Sequence, residues 1–93
     1  MSQSVTDRVV IDNKLGLHAR PAMLFVEKAS KFESDVTVCR CDDSQVVDGK
    51  SIMQMMMLAA TSGTEIEISA SGCDAQDAVA ELVALVKSKF SEE

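Results

Sequence analysis

Thr64-Glu65-Ile66-Glu67-Ile68-Ser69-Ala70-Ser71 decides the fold. Ile66, Ile68 and Ala70 alternate strictly with Glu65, Glu67 and Ser69, so the segment is a strand with one apolar face and one wet face. A sheet with one wet face is antiparallel, because crossover helices cover both faces of a parallel sheet. Gly72 closes the strand. Asp74 then caps a long helix that carries Ala78, Val79, Leu82, Val83, Val86 and Phe90.

Working back from this strand, Asp48-Gly49 breaks the chain before a short helix from about Ser51 to Ala59, which Thr61-Ser62-Gly63 ends. Asp35 to Arg40 alternates around Val36 and Val38 as a strand. Cys41-Asp42-Asp43-Ser44 turns the chain into a weak strand at Gln45 to Val47. A helix from about Arg20 to Lys31 presents Ala22, Phe25, Val26 and Ala29 at helical spacing. Val5 to Ile11 is the first strand, with Val5, Val9 and Ile11 on one side and Thr6, Arg8 and Val10 on the other. Asp12-Asn13-Lys14 is a turn. The order βαββαβα, with helices covering one sheet face, makes an α+β domain of two layers over residues 1–93.

Composition narrows the function. The net charge is −6 and no Lys/Arg cluster interrupts it, which argues against a nucleic-acid partner. No apolar run approaches the ~18 residues of a membrane span. The start, Met1-Ser2-Gln3-Ser4, lacks a basic n-region and an apolar signal core, which points to the cytoplasm. Cys39, Cys41 and Cys73 are odd in number and lack metal-ligand spacing. They read as reduced thiols filling modest spaces.

Gly16-Leu17-His18-Ala19-Arg20-Pro21-Ala22 holds the only histidine and the only proline. Proline suits the first turn of a helix, so His18 stands at or just before a helix N-terminus, beside Arg20. Helix starts attract phosphate through unpaired N–H groups and the dipole. A neutral imidazole is a nucleophile near neutral pH. The guanidinium and the helix end stabilise the anion once a phosphoryl group arrives. The residues thus point to an exposed histidine that carries a phosphoryl group.

In the short helix, Met55, Leu58 and Ala59 form one apolar arc, assigned to the core. Ile52, Met53 and Met56 form a second arc that a two-layer domain leaves exposed, a good adaptable binding surface. Ser51 is placed to be the N-cap. Three other classes compete with a carrier. One is a regulatory binding module acting through Ser51 and the Met-rich helix without sugar transport, with His18 idle. Another is an enzyme using His18 and a cysteine nucleophile. The last is a metabolite-binding domain. No cysteine lies in a motif that would lower its pKa, and no pocket is implied.

The stretch 16–22 resembles the active-site motif of HPr, the histidine-containing phosphocarrier family of the bacterial phosphotransferase system. Gly49-Lys50-Ser51-Ile52-Met53 is similar to that family's second motif. Thr61 to Ile68 and Gly72-Cys73-Asp74-Ala75 are similar to its third. The resemblance runs in order across nearly the whole chain. It implies an open-faced sandwich of four antiparallel strands under three helices. It also implies that enzyme I, charged by phosphoenolpyruvate, phosphorylates His18 on Nδ1, and that His18 passes the group to a histidine of an enzyme IIA domain. Arg20 would hold the phosphate with the backbone N–H groups of Ala19 and Arg20, without metal or cofactor. By the same resemblance Ser51 is a regulatory phosphoserine, and Met23, Ile52, Met53 and Met56 dock partners. HPr kinase/phosphorylase and a transcriptional regulator are further partners, and the carrier is a monomer. Asn13-Lys14-Leu15 looks more like the nitrogen-branch paralogue, NPr, whereas Lys50-Ser51-Ile52-Met53 points to kinase-regulated HPr. The branch stays open between carbon catabolite regulation and nitrogen control.

Overall fold

The computed structural model describes residues 3–12, 14–58 and 60–91. In chain order they form β1 (Gln3–Val10), α1 (Ala19–Ala29), β2 (Asp35–Arg40), β3 (Val46–Asp48), α2 (Ile52–Met57), β4 (Glu65–Gly72) and α3 (Ala75–Lys87), then a 3-10 turn at Lys89–Ser91. The expected order holds. Met1, Ser2, Asn13 and Ala59, which entered the sequence reading, lie outside the described residues.

The decisive strand, β4, lies inside the sheet, whose order is β1-β4-β2-β3 with every pair antiparallel. Its register aligns apolar residues across three strands. Ile66 pairs with Val9, Ile68 with Val38, and Ala70 with both Val5 and Val36. Ile66, Ile68, Ala70, Val9, Val36, Val38 and Val47 are buried on this face. Each fully buried isoleucine contributes roughly 1.5–3 kcal/mol relative to exposure. The opposite face is wet and polar. Thr6 and Ser69 hydroxyls meet at 3.0 Å, and Arg8 Nε donates to Glu67 at 3.2 Å. Exposed pairs of this kind add little stability.

Helical periodicity brings α1 and α3 onto the apolar face. α1 buries Pro21, Ala22, Phe25 and Ala29, and α3 buries Ala75, Ala78, Val79, Leu82, Val83 and Val86. Together with the sheet they make the open-faced sandwich.

Several boundaries differ from expectation: β1 runs Gln3–Val10 rather than Val5–Ile11, and β4 runs Glu65–Gly72 rather than Thr64–Ser71. β3 begins at Val46 rather than Gln45, because its length is set by pairing with Thr37–Cys39 and not by local pattern. α1 ends at Ala29, two residues short of Lys31, and α2 ends at Met57. Phe90 is not part of the last helix. The chain leaves α3 at Ser88, and Lys89 and Phe90 adopt left-handed φ values of 57° and 54°, which turn the Phe90 ring into the core.

Asp74 is the N-cap of α3 by position, yet its side chain makes no capping bond. Its carboxylate instead accepts the backbone N–H groups of Glu33 (2.9 Å) and Ser34 (3.0 Å) and the Ser34 hydroxyl. Ser34 is buried, so its two bonds satisfy donors largely withdrawn from water. The Ser34 hydroxyl, followed by the Glu33 N–H, holds the Asp74 carboxyl below the usual carboxylate range. A depressed native value means that the stabilisation is present above the unfolded value, about 3.9, and is lost as pH falls through the native one. Asp74→Ala is therefore expected to lower Tm by several degrees at neutral pH. Thermal melts should show the gap between variant and parent closing as pH falls below about 4.

Candidate functional site

The loop before α1 is moored backbone to backbone. Gly16 adopts φ +71°, and a Cβ there would stand 2.7 Å from Ala60 O and 2.8 Å from Thr61 Cα. The next residue, Leu17, donates its N–H to Ala60 O at 2.8 Å and buries its side chain. On the other side of the loop, Ile11 N donates to Thr64 O (2.8 Å) and Gly63 N donates to Ile11 O (2.7 Å), extending the β1–β4 pairing. His18 thus rises from a loop pinned to the linker between α2 and β4.

His18 is the N-cap of α1, extended at φ −97° and ψ −167°, and its side chain does not cap the helix. Its carbonyl accepts the first helical bond, from Ala22 N at 3.0 Å. Pro21 stands in the first turn and brings no N–H. The donors left at this helix end are therefore those of Ala19 and Arg20. The helix carries no acidic residue in its first turn, so nothing there offsets the positive end of the dipole. The sequence predicts an exposed His18, whereas the structure shows it half-buried with Nε2 withdrawn from solvent. The loop that carries it is held to the linker by the Leu17 N to Ala60 O bond.

Ala19 and Arg20 are exposed. With Met23 and Leu24 of α1 and Ile52 of α2 they line a shallow depression of about 520 Å³. Two other depressions, of about 460 and 470 Å³, contain none of residues 16–22. The geometry thus brings Arg20, Met23 and Ile52 together beside the histidine.

α2 begins one residue after Ser51, whose Oγ accepts from Gln54 N at 3.3 Å. The Gln54 side chain reaches back to accept Asp48 N at 2.8 Å. The Ser-x-x-Gln spacing carries the signal for this reciprocal cap, although here the Gln54 side chain reaches Asp48 rather than the N-cap residue. Lys50 Nζ donates to Phe32 O at 2.8 Å, joining the start of α2 to the loop after α1. No local pattern announces that bond. Met55 and Leu58 are buried, as expected of the core arc, while Ile52, Met53 and Met56 are exposed. Met57 is exposed as well, a residue the sequence reading left unassigned although it lies one helical turn from Met53.

The three cysteines are free, but Cys41 and Cys73 are exposed and fill no interior space. Partial desolvation raises the Cys39 and Cys41 thiols above their ordinary value, and a hydrogen bond to Glu33 raises Cys73. Each shift opposes the thiolate that a nucleophilic cysteine needs. Among the described residues no cluster of three or more His, Cys, Asp or Glu is placed to hold a metal ion, and no helix is long and apolar enough to cross a membrane.

Known proteins are similar to this chain in sequence and fold. The family model described as the PTS HPr component phosphorylation site matches residues 5–88. The phosphocarrier protein HPr of Neisseria meningitidis is 46% identical over 84 residues, which is 90% of this chain and 92% of that protein. The phosphocarrier protein NPr of Proteus mirabilis is 41% identical over 86 residues, 92% of this chain and 94% of that protein. The crystal structure of an HPr from Thermoanaerobacter tengcongensis superposes with a TM-score of 0.87 at 47% identity, covering 98% of each chain.

Proposed function

The chain belongs to the HPr family of phosphocarrier proteins, and on that premise we propose that His18 carries a phosphoryl group from phospho-enzyme I to a histidine of an enzyme IIA domain. The observation that carries this reading is the placing of His18 at the N-cap of α1, with Nε2 turned inward and the ring not used as the cap. Burial of Nε2 leaves Nδ1 as the nitrogen that meets a partner. Its lone pair attacks the phosphorus of the donor phosphohistidine, the new N–P bond forms as the donor's breaks, and the reverse polarity delivers the group onward. Charge gathers on the three phosphoryl oxygens during transfer. The N–H groups of Ala19 and Arg20 and the guanidinium of Arg20 are the donors that stabilise it. The chain is the vehicle in this relay and releases no small-molecule product of its own.

The test is incubation with enzyme I and phosphoenolpyruvate. One acid-labile, base-stable phosphate per chain is expected by intact mass. No label from an enzyme I that charges an established HPr overturns the reading. Arg20→Ala should slow transfer by roughly one to two orders of magnitude, since a charge-assisted contact of ~1.5–3 kcal/mol is lost. Rapid-quench kinetics showing an unchanged rate would remove Arg20 from the mechanism.

Partner docking falls to Met23, Ile52, Met53 and Met56, of which Met23 and Ile52 line the depression beside Arg20 and Met53 and Met56 sit on the helix that bounds it. Ser51 is the regulatory position in this reading. A phosphate on its Oγ would stand at the start of α2, where a helix tolerates negative charge, and beside the apolar docking residues, where it repels an acidic partner. Incubation with ATP and an HPr kinase should place one acid-stable phosphate on Ser51. Ser51→Ala should lose that phosphate while keeping the one on His18. A kinase product that survives in Ser51→Ala removes this residue from regulation.

A further inference from the structure

The short helix α2 exposes three thioethers to solvent. Met53, Met56 and Met57 are 77%, 46% and 62% exposed, and Met23 on the neighbouring helix is 44% exposed. Met55, between them in sequence, is fully buried. Met53 lies at i,i+3 from Met56 and i,i+4 from Met57, so the three sulfurs share one side of the helix. A thioether in solvent is open to peroxide, whereas a buried one is shielded. The free thiols that would compete for oxidant are poorly ionised, Cys39 and Cys41 through partial desolvation and Cys73 through its bond to Glu33.

We infer that the exposed methionines of α2, Met53, Met56 and Met57, form a modification site at which peroxides convert thioethers to sulfoxides and thereby weaken partner docking. In the reaction a sulfur lone pair attacks one peroxide oxygen and forms the S–O bond as the O–O bond breaks. The departing hydroxide takes the proton left on the transferred oxygen and leaves as water. Sulfur is oxidised by two electrons and the peroxide is reduced by two. The product is polar and a strong hydrogen-bond acceptor, so a flexible apolar surface becomes one that must be desolvated on contact. The fold is spared, because the sulfur packed in the core is Met55. This inference rests on the docking role proposed above for the same face.

The experiment treats the full chain with hydrogen peroxide and then with dithiothreitol, which reverses sulfenic acids and disulfides but leaves sulfoxides. Peptide mass spectrometry should find oxygen on Met53 and Met57 first, then on Met56 and Met23, with Met55 spared and the thermal melt retained. Transfer from enzyme I should fall by roughly tenfold and recover on treatment with methionine sulfoxide reductases. Oxidation of Met55 as fast as Met53 would overturn the selectivity, and sulfoxides without slower transfer would overturn the switch. Met53→Asp, assayed without oxidant, separates the two layers. If the aspartate slows transfer and the sulfoxides do not, the modification is wrong and docking stands. If neither slows transfer, the docking role falls and the modification falls with it.

Discussion

His18→Ala will take no phosphate from enzyme I, and its thermal stability will stay within about 1 kcal/mol of the parent. The first half follows from composition, since the chain has a single histidine and no second imidazole can replace it. The second half follows from the local structure. The helix start is held by backbone, with the His18 carbonyl accepting from Ala22 N and its N–H donating to Gly16 O at 3.1 Å. Alanine keeps both bonds, and the side chain removed does not cap the helix. The extended φ and ψ of this position suit alanine equally well. Intact mass in acid and in base reads the first claim and a thermal melt reads the second. A label that persists in the variant, whatever its acid stability, would move the carrier off His18. A variant that unfolds would show that the ring's half-burial supports the fold, and His18→Gln, closer in volume, would then test the chemistry.

Much of this site was legible because its signals are local. Pro21 marks the first turn of α1, and one histidine three residues earlier needs no tertiary knowledge to be placed at the N-cap. The alternation in β4 likewise reports which face is wet before any partner strand is known. What escaped the reading depends on contacts far along the chain. Val86 and Phe90 stand four apart, as in a continuing helix, and nothing local reveals that Lys89 and Phe90 turn left-handed to reach the same core. Asp74 looks like a helix cap, but its acceptors are used by Glu33 and Ser34, about forty residues upstream. The half-burial of His18 is likewise announced by no local pattern, on a loop that meets residues 60–62. A residue's role along one element shows in the sequence, and its exposure depends on what another element brings.

That meeting point supplies the second large effect. Gly16→Ala should destabilise the protein by about 2–4 kcal/mol and slow phosphoryl transfer by at least roughly tenfold. An L side chain at φ +71° costs about 1–2 kcal/mol by itself. The added methyl also overlaps Ala60 O and Thr61 Cα, and both are main-chain atoms that cannot swing aside. Relief requires the loop and the linker to part, which strains the Leu17 N to Ala60 O bond at the adjoining residue. His18 lies one residue beyond Leu17, so any such shift is handed to the imidazole, and misplacing a reacting group by about 1 Å costs about a hundredfold in rate. Gly63→Ala is the matched control. Gly63 also has a positive φ, +92°, but a Cβ there meets nothing within 4 Å. It should lose only the conformational part, about 1–2 kcal/mol, with transfer near the parental rate. Denaturant melts and transfer kinetics on the pair therefore divide backbone strain from steric overlap. Equal losses in the two variants would mean that Gly16 answers only to its φ, and that the linker does not hold the histidine in place.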